Sequence, residues 1–124
     1  MAKVFLDVNI LIDIVETRKD VSLSVFDNHE TYVSPLSIHI LFYVGKKKVP
    51  FPRVSQMLLD INLVSFANTI TEKALSGPTN DFEDNVQLHS AAEAECDFFL
   101  TSDKKLLDMK FFGKTKILSS LTTN

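Results

Sequence analysis

Asp7 ends the apolar run Val4-Phe5-Leu6, and Asp103 follows closely on another, Phe98-Phe99-Leu100. Between them in the chain, Asp81, Glu83 and Asp84 crowd into one short stretch. Carboxylates brought together from separate segments repel one another and raise each other's pKa values unless a cation neutralises them. A donor set of oxygens alone, with no cysteine and no histidine pair, suits Mg²⁺ or Mn²⁺ rather than zinc. Such a cation can orient a phosphodiester, generate hydroxide from a bound water and stabilise the leaving oxygen. The chemistry in view is metal-assisted phosphodiester cleavage, if the fold gathers these acids.

Each acid also has a plainer role. Asp81 and Asp84 fit helix N-terminal acids favoured by the dipole, with Asp81 placed to cap. Asp103, in Thr101-Ser102-Asp103, fits the cap of a short helix. A merely structural Asp is uncommon directly after an apolar strand, so Asp7 points most strongly to function. Glu83 is the weakest candidate, because adjacent helix residues point in different directions. Asp13, Asp20, Asp27, Asp60, Asp97 and Asp108 read as surface or cap residues.

The elements that must position these acids alternate along the chain. Strands are expected at residues 4–6, 31–33, 62–66 and 97–101, with an edge strand at 116–119. Helices are expected at 9–15, 21–28, 35–48, 53–59, 69–76, 82–95 and from 103 to 107. Ser34-Pro35 opens the third of these, since Ser caps and Pro tolerates the first turn. Lys46, Lys47 and Lys48 read as its solvated last turn, and Gly77-Pro78 stops the helix before the acidic stretch. This alternation predicts an α/β fold with a mainly parallel sheet covered on both faces. Right-handed crossovers then put the carboxyl ends of the strands on one edge, where such sheets bind ligands.

Composition narrows the class further. The 124 residues, 45% hydrophobic and 23% charged, suit a single domain over 1–124. Ten phenylalanines exclude a solvated, disordered coil. The formal charge of −3, from 16 acids and 13 bases, argues against holding nucleic acid by bulk electrostatics. Acids gathered to hold a metal account for part of that charge. The lone Cys96 allows no internal disulfide and reads as a small buried hydrophobe, which suits a cytoplasmic location. No uncharged stretch approaches the roughly 20 apolar residues of a membrane helix.

Three segments carry a family resemblance. Val4-Phe5-Leu6-Asp7-Val8-Asn9-Ile10-Leu11-Ile12-Asp13 resembles the opening motif of PIN domains, an apolar strand, Asp, a small polar residue two further on, then an apolar helix. Asp81-Phe82-Glu83-Asp84-Asn85-Val86-Gln87-Leu88 is similar to their third motif and Phe99-Leu100-Thr101-Ser102-Asp103 to their fourth. The resemblance implies a three-layer α/β/α sandwich around a mainly parallel sheet of four to five strands. It also implies a Mg²⁺- or Mn²⁺-dependent ribonuclease. Asp7, Asp84 and Asp103 match the metal-binding acids, Asp81 an auxiliary ligand through water, and Asn9 and Thr101 the supporting polar residues. Small bacterial members resembling VapC toxins act on RNA, form homodimers and are silenced by a protein antitoxin.

One position departs from the pattern. The family places a Glu in the helix after the second strand, and Ser37-Ile38-His39-Ile40-Leu41-Phe42-Tyr43 puts Ile40 there. Isoleucine cannot bind a cation, so metal affinity should fall with the lost charge. Two readings stay open: a weakened nuclease, and an inactive PIN domain that binds RNA or a partner. His39, Lys104 and Lys105 are candidate RNA contacts, and Lys46, Lys47, Lys48 and Arg53 form a second basic segment. A phosphoacceptor receiver fits poorly, since Asp7-Val8-Asn9 offers no adjacent acids after the first strand and Phe66 with Asn68 no Asp after the third; an Asp-x-Asp phosphatase fits poorly too, since Asn9 cannot act as a general acid.

Overall fold

The structure is a computed structural model that describes residues 1–16 and 23–121. Strand β1 (Lys3–Leu6) leads into helix α1 (Val8–Val15), and a single 3₁₀ turn at Leu23–Phe26 precedes β2 (Glu30–Val33). Helices α2 (Pro35–Val44) and α3 (Pro52–Met57) follow, then β3 (Asn62–Leu63), α4 (Asn68–Ser76) and α5 (Phe82–Glu93). Strand β4 (Phe98–Leu100), α6 (Lys104–Met109), β5 (Phe111–Phe112) and β6 (Thr115–Leu118) complete the chain.

The sheet order is β3-β2-β1-β4-β6-β5, parallel throughout except for β5 against β6. Successive side chains of β1 enter opposite layers, as strand geometry requires. Val4 and Leu6 pack with Ile10, Leu11, Leu41 and Val54 of α1, α2 and α3. Phe5 packs with Ile70, Val86, Leu88 and Leu106 of α4, α5 and α6. Fully buried Phe5 stacks on Phe99, centroids 5.4 Å apart. Burying one such side chain contributes about 1.5–3 kcal/mol. This is the α/β/α sandwich the alternation implies.

Three local expectations change. The sheet has six strands, and β6 lies inside it, because Phe111 and Phe112 add an antiparallel edge strand through a turn at Gly113, φ 60°. A two-residue strand carries too little periodicity to be read from sequence. Helix α2 stops at Gly45, and Lys46 takes a left-handed conformation while the Lys47 amide returns to the Phe42 carbonyl. Lys47 is therefore no solvated helix end: its ammonium pairs with Glu16 at 2.5 Å. The helix expected at 21–28 is described only from residue 23, as the 3₁₀ turn; 21 and 22 lie outside the described residues.

Strand order sets the site. The chain runs from β1 outward to β2 and β3, then crosses to β4 on the other side of β1. The carboxyl ends of β1 and β4 thus flank the point where strand order reverses, the usual ligand crevice of such sheets. Leu6 pairs with Leu100, and the Asp7 amide donates to the Leu100 carbonyl at 2.9 Å. This register sets Asp7 beside Thr101.

Candidate metal centre

Asp7 is 2% exposed and caps α1. Its Oδ1 accepts the Val8 amide at 2.8 Å, and its Oδ2 accepts the Thr101 hydroxyl at 2.7 Å and the Asn9 amide at 3.2 Å. Burial pushes its pKa above the ordinary carboxylate value; the Thr101 and Val8 hydrogen bonds oppose that shift, and the Asp103 charge adds to it.

Thr101 Oγ1 is the hub of this edge. While donating to Asp7 it accepts the Asp103 amide at 3.0 Å and the Asn9 side-chain amide at 3.3 Å. Asn9 Oδ1 accepts the Ser102 amide at 3.1 Å, so Asn9 ties the end of β1 to the turn after β4. The capacity of the Asn9 side chain goes into this bracing, which matches a supporting role. Asp103 caps α6, its Oδ1 accepting the Lys105 amide at 2.9 Å.

The third segment arrives on α5. Asp81 caps this helix, accepting the Asp84 amide at 3.0 Å. No hydrogen bond or ion pair among the described residues engages the carboxylate of Asp84 or of Glu83, and both side chains are half-buried. Burial, reinforced by the charges of Asp81, Asp7, Asp103 and Glu83, pushes the Asp84 pKa up to about 7. Glu83 is raised by burial and by the charges of Asp7 and Asp81.

Thr79, Asn80, Asp81, Asp84, Asp103, Lys105 and Leu106 line a pocket of about 180 Å³. Lys105 thus stands at the acids. Lys104 is turned to Asp108, 3.5 Å away. His39 is exposed on α2 with its ring on Tyr43, centroids 6.1 Å apart, and is not among the pocket residues. Ile40 is half-exposed and packs into neither core. Arg53 caps the end of α1 by donating to the Val15 and Ile14 carbonyls. Asp13, expected at the surface, is buried.

Sequence reasoning passed over Asn85. It is 3% exposed, its Nδ2 donates to the Ala74 and Thr79 carbonyls at 2.8 and 2.9 Å, and its Oδ1 accepts the Thr79 amide and hydroxyl at 2.9 and 2.7 Å. These bonds hold the turn that carries Asp81 against the start of α5. The signal available was an Asn in the first turn of a helix that follows a Gly-Pro break.

Among the described residues, no three or more His, Cys, Asp or Glu side chains are grouped closely enough to hold a metal ion between them. The charges of Asp7 and Asp103 bear on Asp84, and the donor chemistry these acids offer is all oxygen, which suits a hard cation such as Mg²⁺ that keeps several of its waters.

A family model described as a PIN domain matches residues 3–105. No curated protein matches the chain in sequence. Among solved structures, the chain is similar to VapBC2 from Rickettsia felis bound to a DNA fragment from their promoter. That likeness has 14% identity and a TM-score of 0.68, covering 94% of this chain and 97% of that one. It is also similar to a toxin–antitoxin complex from Klebsiella pneumoniae, with 18% identity and a TM-score of 0.70, covering 90% of this chain and 94% of that one. At these identities the likeness speaks for the fold.

Proposed function

The chain belongs to the PIN-domain family, and from that premise we propose that it is a Mg²⁺- or Mn²⁺-dependent ribonuclease, the toxin of a toxin–antitoxin pair. The observation that carries the reading is that the charges of Asp7 and Asp103, at the strand ends where strand order reverses, both bear on Asp84 at the start of α5. Asp7 and Asp103, both braced by Thr101, form the rigid half of the centre. Asp84, whose carboxylate has no partner among the described residues, is the adaptable half, and Asp81 shapes it by fixing the first turn of α5. A bound Mg²⁺ or Mn²⁺ would supply Lewis-acid polarisation of the phosphodiester and a lowered pKa for the attacking water. Lys105 is placed to meet a phosphate oxygen beside the acids. Lys104 and His39 lie outside that pocket and would touch RNA only farther along its path.

The toxin reading rests on the fold shared with the two complexes. It brings an antitoxin and a second copy of the chain as partners. Exposed Tyr43, Val44, Leu59 and Leu75 offer apolar surface for such partners. No helix among the described residues is long and apolar enough to cross a membrane.

Ile40 supports a second reading, an RNA- or partner-binding PIN domain without cleavage. A Mn²⁺-dependent RNA cleavage assay with Asp84→Asn as control separates the two. The nuclease reading requires activity that the substitution removes; cleavage that survives it assigns the activity to another site or a contaminant.

A further inference from the structure

Gln87 and Ser37 are both fully buried, on α5 and α2, and the Gln87 side-chain amide donates to the Ser37 hydroxyl at 2.8 Å. We propose that Gln87 is a positioning residue of the metal centre: held by Ser37, it sets where α5 stands against α2 and with it the position of Asp84. This inference rests on the metal-centre reading above and concerns how the centre is held, not which residues ligate the cation.

The bond joins the two helical layers. Leu41 of α2 packs in the layer of α1, whereas Val86 and Leu88, on either side of Gln87, pack in the layer of α4 and α6. Asp84 and Gln87 are three residues apart and so share one face of α5. The same spacing puts Ser37 and Ile40 on one face of α2. The Asp84 carboxylate has no partner among the described residues, so the helix itself carries it to its place. Two buried amides tie that helix to different neighbours: Asn85 donates to the Ala74 carbonyl of α4 and Gln87 to Ser37 of α2. An amide is a costly choice at the Gln87 position. Its Oε1 and the hydroxyl of Ser90, one turn on, are buried without a hydrogen-bond partner among the described residues, where a methionine or leucine would bury no polar atom. What the amide supplies is direction, because a hydrogen bond holds two helices at one distance and angle while apolar contacts tolerate sliding. Helix α2, with Ile40 in place of the expected acid, thus serves the centre through orientation rather than charge.

Titration calorimetry of Mn²⁺ into the full chain tests the assignment, with thermal unfolding in chelator alongside. Gln87→Met keeps the length and removes the amide. It should weaken Mn²⁺ binding about three- to tenfold, less than the loss of a group bonded directly to a ligand. Ser37→Ala removes the acceptor and should weaken binding to a similar extent; it carries the test alone if Gln87→Met does not fold. The double variant should bind no more weakly than the weaker single, because both substitutions break one bond. Val54→Ala, in the buried core on the α1 side, controls for lost stability and should leave Mn²⁺ affinity unchanged. Wild-type Mn²⁺ affinity in either folded single variant, whatever its Tm, makes the bond merely structural and overturns the proposal. Losses that add in the double variant overturn it as well. Wild type that binds no Mn²⁺ at millimolar concentration overturns the metal-centre reading itself, and this proposal with it.

Discussion

Thr101 donates its hydroxyl to Asp7 Oδ2 at 2.7 Å across the boundary between β1 and β4, and so couples the two strand ends that carry the first and last acids. The same oxygen accepts the Asp103 amide, so one fully buried side chain sets the position of both carboxylates. Thr101→Val keeps the shape and removes the hub. The buried Asp7 carboxylate loses its shortest hydrogen bond and the Asp103 amide its partner, so stability should fall by about 2–3 kcal/mol in urea unfolding. Thr101→Ser should recover most of the loss.

The metal-free protein should grow less stable as pH rises. Burial and neighbouring charges raise the folded-state pKa of Asp84 to about 7, well above the ordinary carboxylate range, and those of Asp7 and Glu83 are also raised. The native state thus binds more protons than the unfolded chain between roughly pH 4 and 7, and stability falls across that window. Asp84→Asn removes one of the repelled charges. Its Tm in chelator at pH 8 should exceed that of wild type by roughly 2–6 °C, and the gap should close toward pH 4. Saturating Mn²⁺ should reverse the order, because the cation stabilises only the chain that binds it. A wild-type Tm that is flat from pH 5 to 8 in chelator contradicts the coupling.

Asn85 gives a prediction about the turn rather than the acids. Asn85→Ala strips the partners from Thr79 and Ala74 at a buried position. A loss of about 2–4 kcal/mol is expected. Hydrogen exchange should quicken for the Thr79 and Asp84 amides, whose geometry depends on that turn. Protection unchanged from wild type would show that α5 starts correctly without it.

Ile40 and Leu41 are neighbours with opposite tolerance. Ile40 joins neither core, whereas Leu41 is 1% exposed among α1 and β1 side chains. Ile40→Glu should cost less than about 1 kcal/mol. Leu41→Glu should unfold the domain, since it buries an unpaired charge. Circular dichroism of the two variants reads the contrast directly.

The acids that follow β-strands were legible because the signal is local: an apolar run such as Val4-Phe5-Leu6 and the carboxylate after it lie within a few residues. The same holds for Ser34 capping α2 and Asp81 capping α5. The strand at Phe111–Phe112 was not legible, since its pairing depends on the hairpin with Thr115 and Lys116. Lys47 reads as a solvated helix end and Arg53 as part of a basic segment, yet they end on Glu16 and on α1 carbonyls. Long side chains choose partners by three-dimensional neighbourhood.

The sequence by itself determined the alternation of strands and helices, the candidate acids and the missing carboxylate at Ile40, because side-chain type and short-range spacing are written along the chain. Only the tertiary structure decided which acids share a field. Asp7 meets Thr101 through the parallel register of β1 with β4, and Asp84 from the start of α5 lines one pocket with Asp103 from the end of β4. Those contacts join residues far apart in the chain, and electrostatic coupling follows distance in space.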